Sequence, residues 1–234
     1  MSAAAVDCAG VWKFYGDYPA LRDITFDVPQ GRCLALIGRN GAGKTSLLRI
    51  LAGFSRAGRG VVRIFGNSPR ETEARRQIGF LGHGISIYDE LSALENLELF
   101  ARLYRLPAPK NTALEWLERT RLAHVRDGLV REFSRGMRQR LAMARVFLHN
   151  PSVLLLDEPF TALDDRAIAV LQSLLEGALR EGRSIVMSTH QLREALELAT
   201  DVALIQCGTI AHHGARTPEM LADPGWLYRQ HGEN

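Results

Sequence analysis

The sequence predicts an α/β fold: a mostly parallel sheet, an N-terminal antiparallel β subdomain and an inserted α-helical subdomain. Three observations carry this. CLALIG (Cys33 to Gly38), VLLLDEP (Val153 to Pro159) and RSIVMSTH (Arg183 to His190) are near-continuous apolar runs, as strands covered on both faces of a parallel sheet require. A helical pattern follows each run, which gives the β/α alternation of such folds. From about residue 83 to 133 the alternation stops and helical periodicity alone remains, continuing to about residue 150. With 234 residues and 46% hydrophobic content, the chain can bury one large core, and it reads as a single domain over 1–234 with an insert at about 83–133.

Residues 6 to 28 alternate, turn and alternate again, predicting two antiparallel strands with Ile24, Phe26 and Val28 on one face, closed by the Pro29-Gln30-Gly31 turn. Tyr15 stands just before a Gly-Asp loop, where its ring either packs in the strand or stacks on a base. GRNGAGKT, residues 38 to 45, fits GxxxxGK[ST], the P-loop. Glycines let successive N–H groups point into one concavity that cradles a polyphosphate, and the helix starting near Lys44 adds its positive N-terminal dipole. Lys44 would reach the β- and γ-phosphates, and Thr45 would offer a hydroxyl to Mg²⁺. The strand before this octet and TSLLRILAG after it supply the strand–loop–helix setting that the motif needs, which makes the P-loop core the centre of the fold.

RAGRGVVRIFGNSP reads as a glycine-punctuated strand at a hairpin edge, RETEARRQ as a solvated helical turn and IGFLG as a further strand. In the insert, Ser92 with Glu95 forms a capping box, and Pro107-Ala108-Pro109 separates two helices. Its loops are the natural surface for a partner. FSRGMRQRLAMARVFLHNP begins with Ser134 as N-cap; a Ser-x-Gly at a helix start can also meet a phosphate. Arg131, Arg135, Arg138, Arg140 and Arg145 read as a solvated basic face.

Asp157 and Glu158 close a fully apolar run, at the strand end where open α/β sheets bind ligands. Asp157 would hold the magnesium and Glu158 would polarise a water for attack on the γ-phosphate. A helix follows, entered through Ala162-Leu163-Asp164 and ended near Gly182; His190 then ends the next apolar strand, where it can donate to the γ-phosphate. QLREALELATDVALIQCGTIAHHG reads as helix, strand, turn, strand, closing the sheet; His212 and His213, near a turn, lack partners at metal spacing and read as exposed loop residues, and the last stretch reads as a short helix with a frayed tail. The three cysteines, Cys8, Cys33 and Cys207, also lack metal spacing and read as small core residues. The formal charge of +3 is too small for a dedicated nucleic-acid binder. The N-terminus lacks signal-peptide features, and no run approaches the roughly 18 apolar residues of a membrane span.

Taken in order, Tyr15, GRNGAGKT, FSRGM, LLLDEP, TALD and STH resemble the ATP-binding cassette family over essentially the whole chain. The resemblance implies two such domains facing head to tail, as a homodimer or a pair of related subunits, with each ATP between the P-loop of one and the Ser-x-Gly loop of the other. It implies that Tyr15 stacks on the base and that Gly38, Arg39, Asn40, Gly41, Ala42, Gly43, Lys44, Thr45 and Ser46 hold the phosphates. Ser134 and Gly136 supply the trans contact and Asp164 a cross-dimer acid. Thr45 and Asp157 bind Mg²⁺, and Glu158, His190 and Lys44 act on the γ-phosphate. It also implies transmembrane permease subunits as partners, a peripheral place on the cytoplasmic face of the membrane, and no nucleic acid.

Two departures stand out. The family's Leu-Ser-Gly-Gly-Gln signature reads Phe133-Ser134-Arg135-Gly136-Met137, and the position of a magnesium-contacting glutamine holds His83, whose neutral imidazole offers one acceptor nitrogen. The Gly82-His83 pair, followed by LSALENLELFARLY and later DEPFTALD, resembles the ATP-binding subunit of the haem exporter of cytochrome c maturation; related exporters of lipid, polysaccharide or drug could share such stretches. A cassette acting on nucleic acid would carry a second cassette or a coiled-coil insert. A binding-only cassette would lack the intact Lys44, Asp157, Glu158 and His190 found here.

Overall fold

The computed structural model describes residues 4–82, 86–161 and 163–231. Strands β1 (Ala4–Tyr15) and β2 (Tyr18–Pro29) pair antiparallel across the Gly16-Asp17 turn, and Ile24, Phe26 and Val28 of β2 point inward as expected. β3 (Cys33–Ile37) leads through the glycine-rich loop into α1 (Lys44–Leu51), and β4 (Arg59–Ile64) returns to pair with β1. β4 is therefore an edge strand, as expected, but its partner lies about fifty positions earlier in the chain and not in an adjoining hairpin. Next come α2 (Thr72–Gln77), β5 (Ile78–Leu81) and three successive helices, α3 (Ala93–Leu103), α4 (Pro109–Arg119) and α5 (Arg135–Phe147). The alternation then resumes with β6 (Val153–Asp157), α6 (Asp165–Arg180), β7 (Ser184–Thr189), α7 (Leu192–Leu198), β8 (Asp201–Gln206) and β9 (Thr209–Ala215). Two short helices, α8 (Pro218–Ala222) and α9 (Trp226–His231), end the described chain.

Among the described residues the main sheet has the order β5-β6-β7-β3-β8-β9, parallel except for β9. Alternate residues of its inner strands face two separate cores. Leu34, Leu36, Leu155 and Val186 pack with α1 and the β1/β2 sheet, whereas Ala35, Ile37, Leu154, Leu156, Ile185 and Met187 pack with α5, α6 and Phe160. Burying each Leu or Ile contributes about 1.5–3 kcal/mol. The inner strands thus cannot slip by one residue without exchanging the two cores.

The helical region is anchored by side chains of its own. Ser92 Oγ accepts from Glu95 N at 3.2 Å and Glu95 Oε2 accepts from Ser92 N at 2.8 Å, the reciprocal capping box. Fully buried Asn96 donates to the carbonyls of Tyr88 and Ser92 and accepts from Tyr88 N, pinning the loop before α3. Pro109 opens α4 at a position whose N–H would have no helical partner.

Several expectations need correction. The arginines of the α5 region are not one solvated face: Arg131 pairs with Glu90, Arg138 with Asp89, Arg140 donates to the carbonyls of Thr120 and Arg121, and Arg145 donates to Phe80 O. His212 and His213 lie on β9 and not on a loop; His212 is half-buried and stacks on His231 at 4.5 Å. The expected frayed tail is folded through residue 231, with Met220 and Leu227 buried. Cys8 and Cys33 are core residues as expected, but Cys207 is exposed at the β8–β9 turn.

Candidate functional site

The sheet order sets the site. β7 lies between β3 and β6, so three neighbouring strands deliver their carboxyl ends together: the glycine-rich loop from β3, Asp157-Glu158 from β6 and Ser188 to His190 from β7. Gly38 has no room for a side chain, since a Cβ there would lie 2.4 Å from Ile205 O. Gly43 takes φ 111° at the N-cap of α1, and a Cβ would meet Leu21 Cδ2 at 2.6 Å. The loop encloses a cavity of about 250 Å³ lined by Ala20, Asn40, Gly41, Ala42, Gly43, Lys44, Thr45, Ser46 and Glu158. Arg39 sits exposed at its edge.

Lys44 is only 6% exposed. Its Nζ donates to Gly38 O at 2.6 Å and to Arg39 O at 3.2 Å, and lies 4.0 Å from Glu158 Oε1. Burial lowers the Lys44 pKa, and the negative charges of Glu158 and Asp157 oppose that shift. A cation in a cavity of backbone N–H groups is a site for a polyphosphate.

The two acids differ in their surroundings. Asp157 is buried; its Oδ1 accepts from Ser188 Oγ at 2.5 Å and Thr45 Oγ1 at 3.2 Å, while its Oδ2 is buried without a hydrogen-bond partner. An orphaned buried carboxylate oxygen costs about 1–3 kcal/mol or more, and a cation would satisfy it. Oδ2 and the Thr45 hydroxyl are hard oxygen donors, which fit a magnesium-type ion that keeps waters and phosphate oxygens in its remaining positions. Among the described residues no three His, Cys, Asp or Glu side chains gather to hold a metal by themselves.

Glu158 adopts φ 53°, uncommon for a residue with a side chain, and its N–H donates to Ser188 O at 3.0 Å and Ser188 Oγ at 3.2 Å. Its Oε2 meets His190 Nδ1 at 2.7 Å, His190 N at 3.2 Å and Thr161 Oγ1 at 3.4 Å. The carboxylate is held between an imidazole, an amide and a hydroxyl.

The sequence-predicted residues fall into two groups. The P-loop, Asp157, Glu158 and His190 come together, and Tyr15 joins them through a 3.3 Å contact of its hydroxyl with Ser46 Oγ, its ring half exposed. Ser134, Gly136 and Asp164 do not line this cavity. Ser134 caps α5, accepting from Met137 N at 3.2 Å; Asp164 caps α6, accepting from Ala167 N at 2.8 Å; and a Cβ on Gly136 would lie 3.8 Å from Ala167 Cβ. His83, a proposed metal contact, lies outside the described residues. Sequence reasoning missed Ser188 and Thr161; the available signal was a polar residue inside the apolar run of β7, level with Asp157 on β6.

A larger cleft of about 710 Å³ meets the cradle at Thr45 and Asp157 and runs outward past Arg49, Arg75, Arg145, Phe54, Phe80 and Tyr104. Phe54 and Tyr104 are exposed at its walls, one from the core and one from the end of α3.

A buried lysine in a glycine cradle, with two consecutive acids at the carboxyl end of a parallel strand of the same sheet, defines a nucleotide-binding protein of the P-loop class. Residues 21–161 match the family model described as ABC transporter, and the chain belongs to that family. It is 34% identical over 223 residues to Nod factor export ATP-binding protein I of Rhizobium meliloti (strain 1021), covering 94% of this chain and 66% of that protein. It is 36% identical over 229 residues to the daunorubicin resistance ATP-binding protein DrrA3 of Streptomyces coeruleorubidus, covering 96% and 72%. The solved ATP binding subunit of an ABC transporter superposes with TM-score 0.83 at 28% identity, covering 98% of this chain and 95% of that one. A dimeric ATP-binding cassette in a post-hydrolysis state, bound to ADP and Pi, gives TM-score 0.80 at 26% identity, covering 91% and 99%. The chain is therefore an ATP-binding subunit with the ATPase fold of this family, and no helix among its described residues is long and apolar enough to cross a membrane.

Proposed function

We propose that the chain hydrolyses ATP to drive export through separate membrane subunits. The observation that carries this reading is the convergence of Lys44, Asp157, Glu158 and His190 at the carboxyl ends of β3, β6 and β7. Lys44 leaves its loop carbonyls to take the β- and γ-phosphates, and the N–H groups of residues 41 to 46 hold the remaining oxygens. Asp157 Oδ2 and the Thr45 hydroxyl would hold Mg²⁺, which would supply positive charge to neutralise the phosphates. Glu158 takes a proton from the attacking water as its oxygen bonds to the γ-phosphorus, the bond to the ADP oxygen breaks, and ADP and inorganic phosphate form. His190 orients the Glu158 carboxylate and donates to the γ-phosphate, and Tyr15 stacks on the base.

The second group completes the site from another copy, or from a paired subunit. Ser134, Gly136 and Asp164 lie on exposed helix N-termini, where N–H dipoles favour a phosphate presented by the facing subunit. The one-domain reading over 1–234 places the helical insert beside the core, and the cleft between them, with its arginines and exposed aromatics, suits a segment of the membrane partner at the cytoplasmic face.

The relatives' names, Nod factor export and daunorubicin resistance, support the exporter reading. The narrower haem reading rests on Gly82-His83 and LSALENLELFARLY, and those names add nothing to it. The test is ATPase assay and gel filtration with Glu158→Gln: turnover is abolished while ATP binding persists and a nucleotide-dependent dimer accumulates. Unaltered hydrolysis would remove Glu158 from the mechanism.

A further inference from the structure

Ser188 is a fully buried hydroxyl in an apolar strand, between Met187 and the strand end, and it faces both site acids. A buried hydroxyl without partners costs about 1–3 kcal/mol, so its bonds decide its orientation. Its oxygen accepts from Glu158 N at 3.2 Å, and its single hydrogen goes to Asp157 Oδ1 at 2.5 Å. The neighbouring Thr189 is committed elsewhere, bonding Gln191 through both its hydroxyl roles. Parallel pairing of Asp157 with Ser188 puts the two side chains level on one face, so a side chain as short as serine reaches the carboxylate.

The consequence for Asp157 is a fixed rotation. Two hydroxyls occupy Oδ1, and Oδ2 is left bare. Of these two, Thr45 also belongs to the cation set of the proposed function: its hydrogen holds Oδ1 at the longer distance of 3.2 Å while an oxygen lone pair would turn to the cation, a second demand on its orientation. Ser188 has no such competing role. The same residue fixes the backbone of Glu158, whose N–H is shared between Ser188 O and Ser188 Oγ in a left-handed conformation that costs about 1 kcal/mol or more to hold.

We propose that Ser188 is a positioning residue that sets the divalent-cation affinity of the ATP site by holding the Asp157 carboxylate with Oδ2 free, while tying Glu158 to the same strand end. The proposal rests on Asp157 being the cation ligand. Removing an outer hydrogen bond of this kind typically costs about 10–100-fold in metal affinity.

The experiment uses the full chain, Mn²⁺ as the probe and a non-hydrolysable ATP analogue, with free Mn²⁺ read by electron paramagnetic resonance. Ser188→Ala weakens Mn²⁺ binding about tenfold or more, while analogue affinity in EDTA stays at the wild-type value. In the ATPase assay the half-saturating Mg²⁺ concentration rises in parallel, and turnover recovers toward wild type as Mg²⁺ is raised. A defect that were only structural would lower metal-free nucleotide binding as well and would not be relieved by metal. Should Ser188→Ala fail to accumulate folded, Ser188→Cys, similar in size but a weak donor, carries the same comparison. Wild-type Mn²⁺ affinity in a folded Ser188 variant overturns the proposal. Asp157→Asn separates the two levels: if it also leaves Mn²⁺ binding intact, the assignment of Asp157 falls and takes Ser188 with it; if it abolishes binding while Ser188→Ala does not, only Ser188 falls.

Discussion

The cradle and the helix N-termini hold their functional side chains in opposite ways. Lys44 and Asp157 are buried, Glu158 is half-buried, and the three interlock: the lysine bonds its own loop, one acid is braced by two hydroxyls and the other by an imidazole and two backbone contacts. Ser134 and Asp164 are exposed, each with a local bond to its own helix. The first group forms a pre-set reaction centre within one chain. The second offers N–H dipoles outward and acquires a role only when something is brought to it. A change in the first group should therefore alter nucleotide chemistry in a single chain, whereas a change in the second should alter it only in the assembled dimer.

The sharpest break in this contrast is Glu158→Gln. Its carboxylate is the proposed proton acceptor, and loss of a general base costs about 10²–10⁴-fold in turnover. ATP affinity is expected to stay, because Lys44 and the loop are untouched. Lys44→Ala comes next: it removes a charge-assisted contact worth about 1.5–3 kcal/mol, so ATP affinity measured with a fluorescent analogue falls about 10–100-fold. Unchanged affinity in that variant would refute the P-loop assignment. Ser134→Ala belongs to the other region. It loses an N-cap worth about 1 kcal/mol in urea unfolding and leaves monomer ATP affinity unaltered. Its turnover falls about tenfold at concentrations where the chain dimerises, the value for one lost hydrogen bond to a charged group. Weakened ATP binding by the isolated monomer would show that Ser134 serves its own chain's site and would erase the distinction.

The same contrast explains what was legible. The cradle could be read because its parts are local: an apolar strand, a glycine-rich loop and a helix are contiguous, and Asp157-Glu158 directly follow a strand. Ser134 was legible as a cap for the same reason, whereas Asp164 was read only as the entry to its helix and the structure adds the cap. Ser188 was not, because its function depends on β7 lying between β3 and β6, and strand order is a property of the assembled sheet. The arginine pairings were hidden likewise, since Arg131 and Arg138 find acids more than forty residues upstream. The closing strand was legible, but His212 and His213 were set on a loop and not on it, because an edge strand alternating between half-buried and exposed resembles a polar loop. The helix at residue 226 was missed because six residues after an Asp-Pro-Gly turn carry little periodicity, although Leu227 is fully buried.

The two regions are not independent, because α5, which Ser134 caps, is tied to the core at its far end. Arg145 donates to Phe80 O at 3.2 Å and His149 Nε2 lies 3.0 Å from Ile78 O, so two residues one helical turn apart grip alternate carbonyls of β5. The His149 ring stacks on Tyr104 at 4.2 Å, and its Nδ1 is buried without a partner. Burial lowers the His149 pKa; the Ile78 carbonyl opposes that shift and the Arg145 charge adds to it. With the folded-state pKa below the unfolded one, the unfolded chain binds the extra proton first, so stability falls as pH drops below the unfolded value of about 6.5 and levels off below the folded pKa. The slope from this group cannot exceed about 1.4 kcal/mol per pH unit. Urea midpoints at pH 7.5 and 5.5 should therefore decline more in the wild type than in His149→Gln, which keeps a donor for Ile78 O and cannot titrate. His212, lowered by its own burial and by His231 and His213, is present in both proteins and drops out of the difference. Equal declines would mean that protonation of the buried imidazole is not linked to unfolding, and that His149 contributes its hydrogen bond to Ile78 O but no pH dependence.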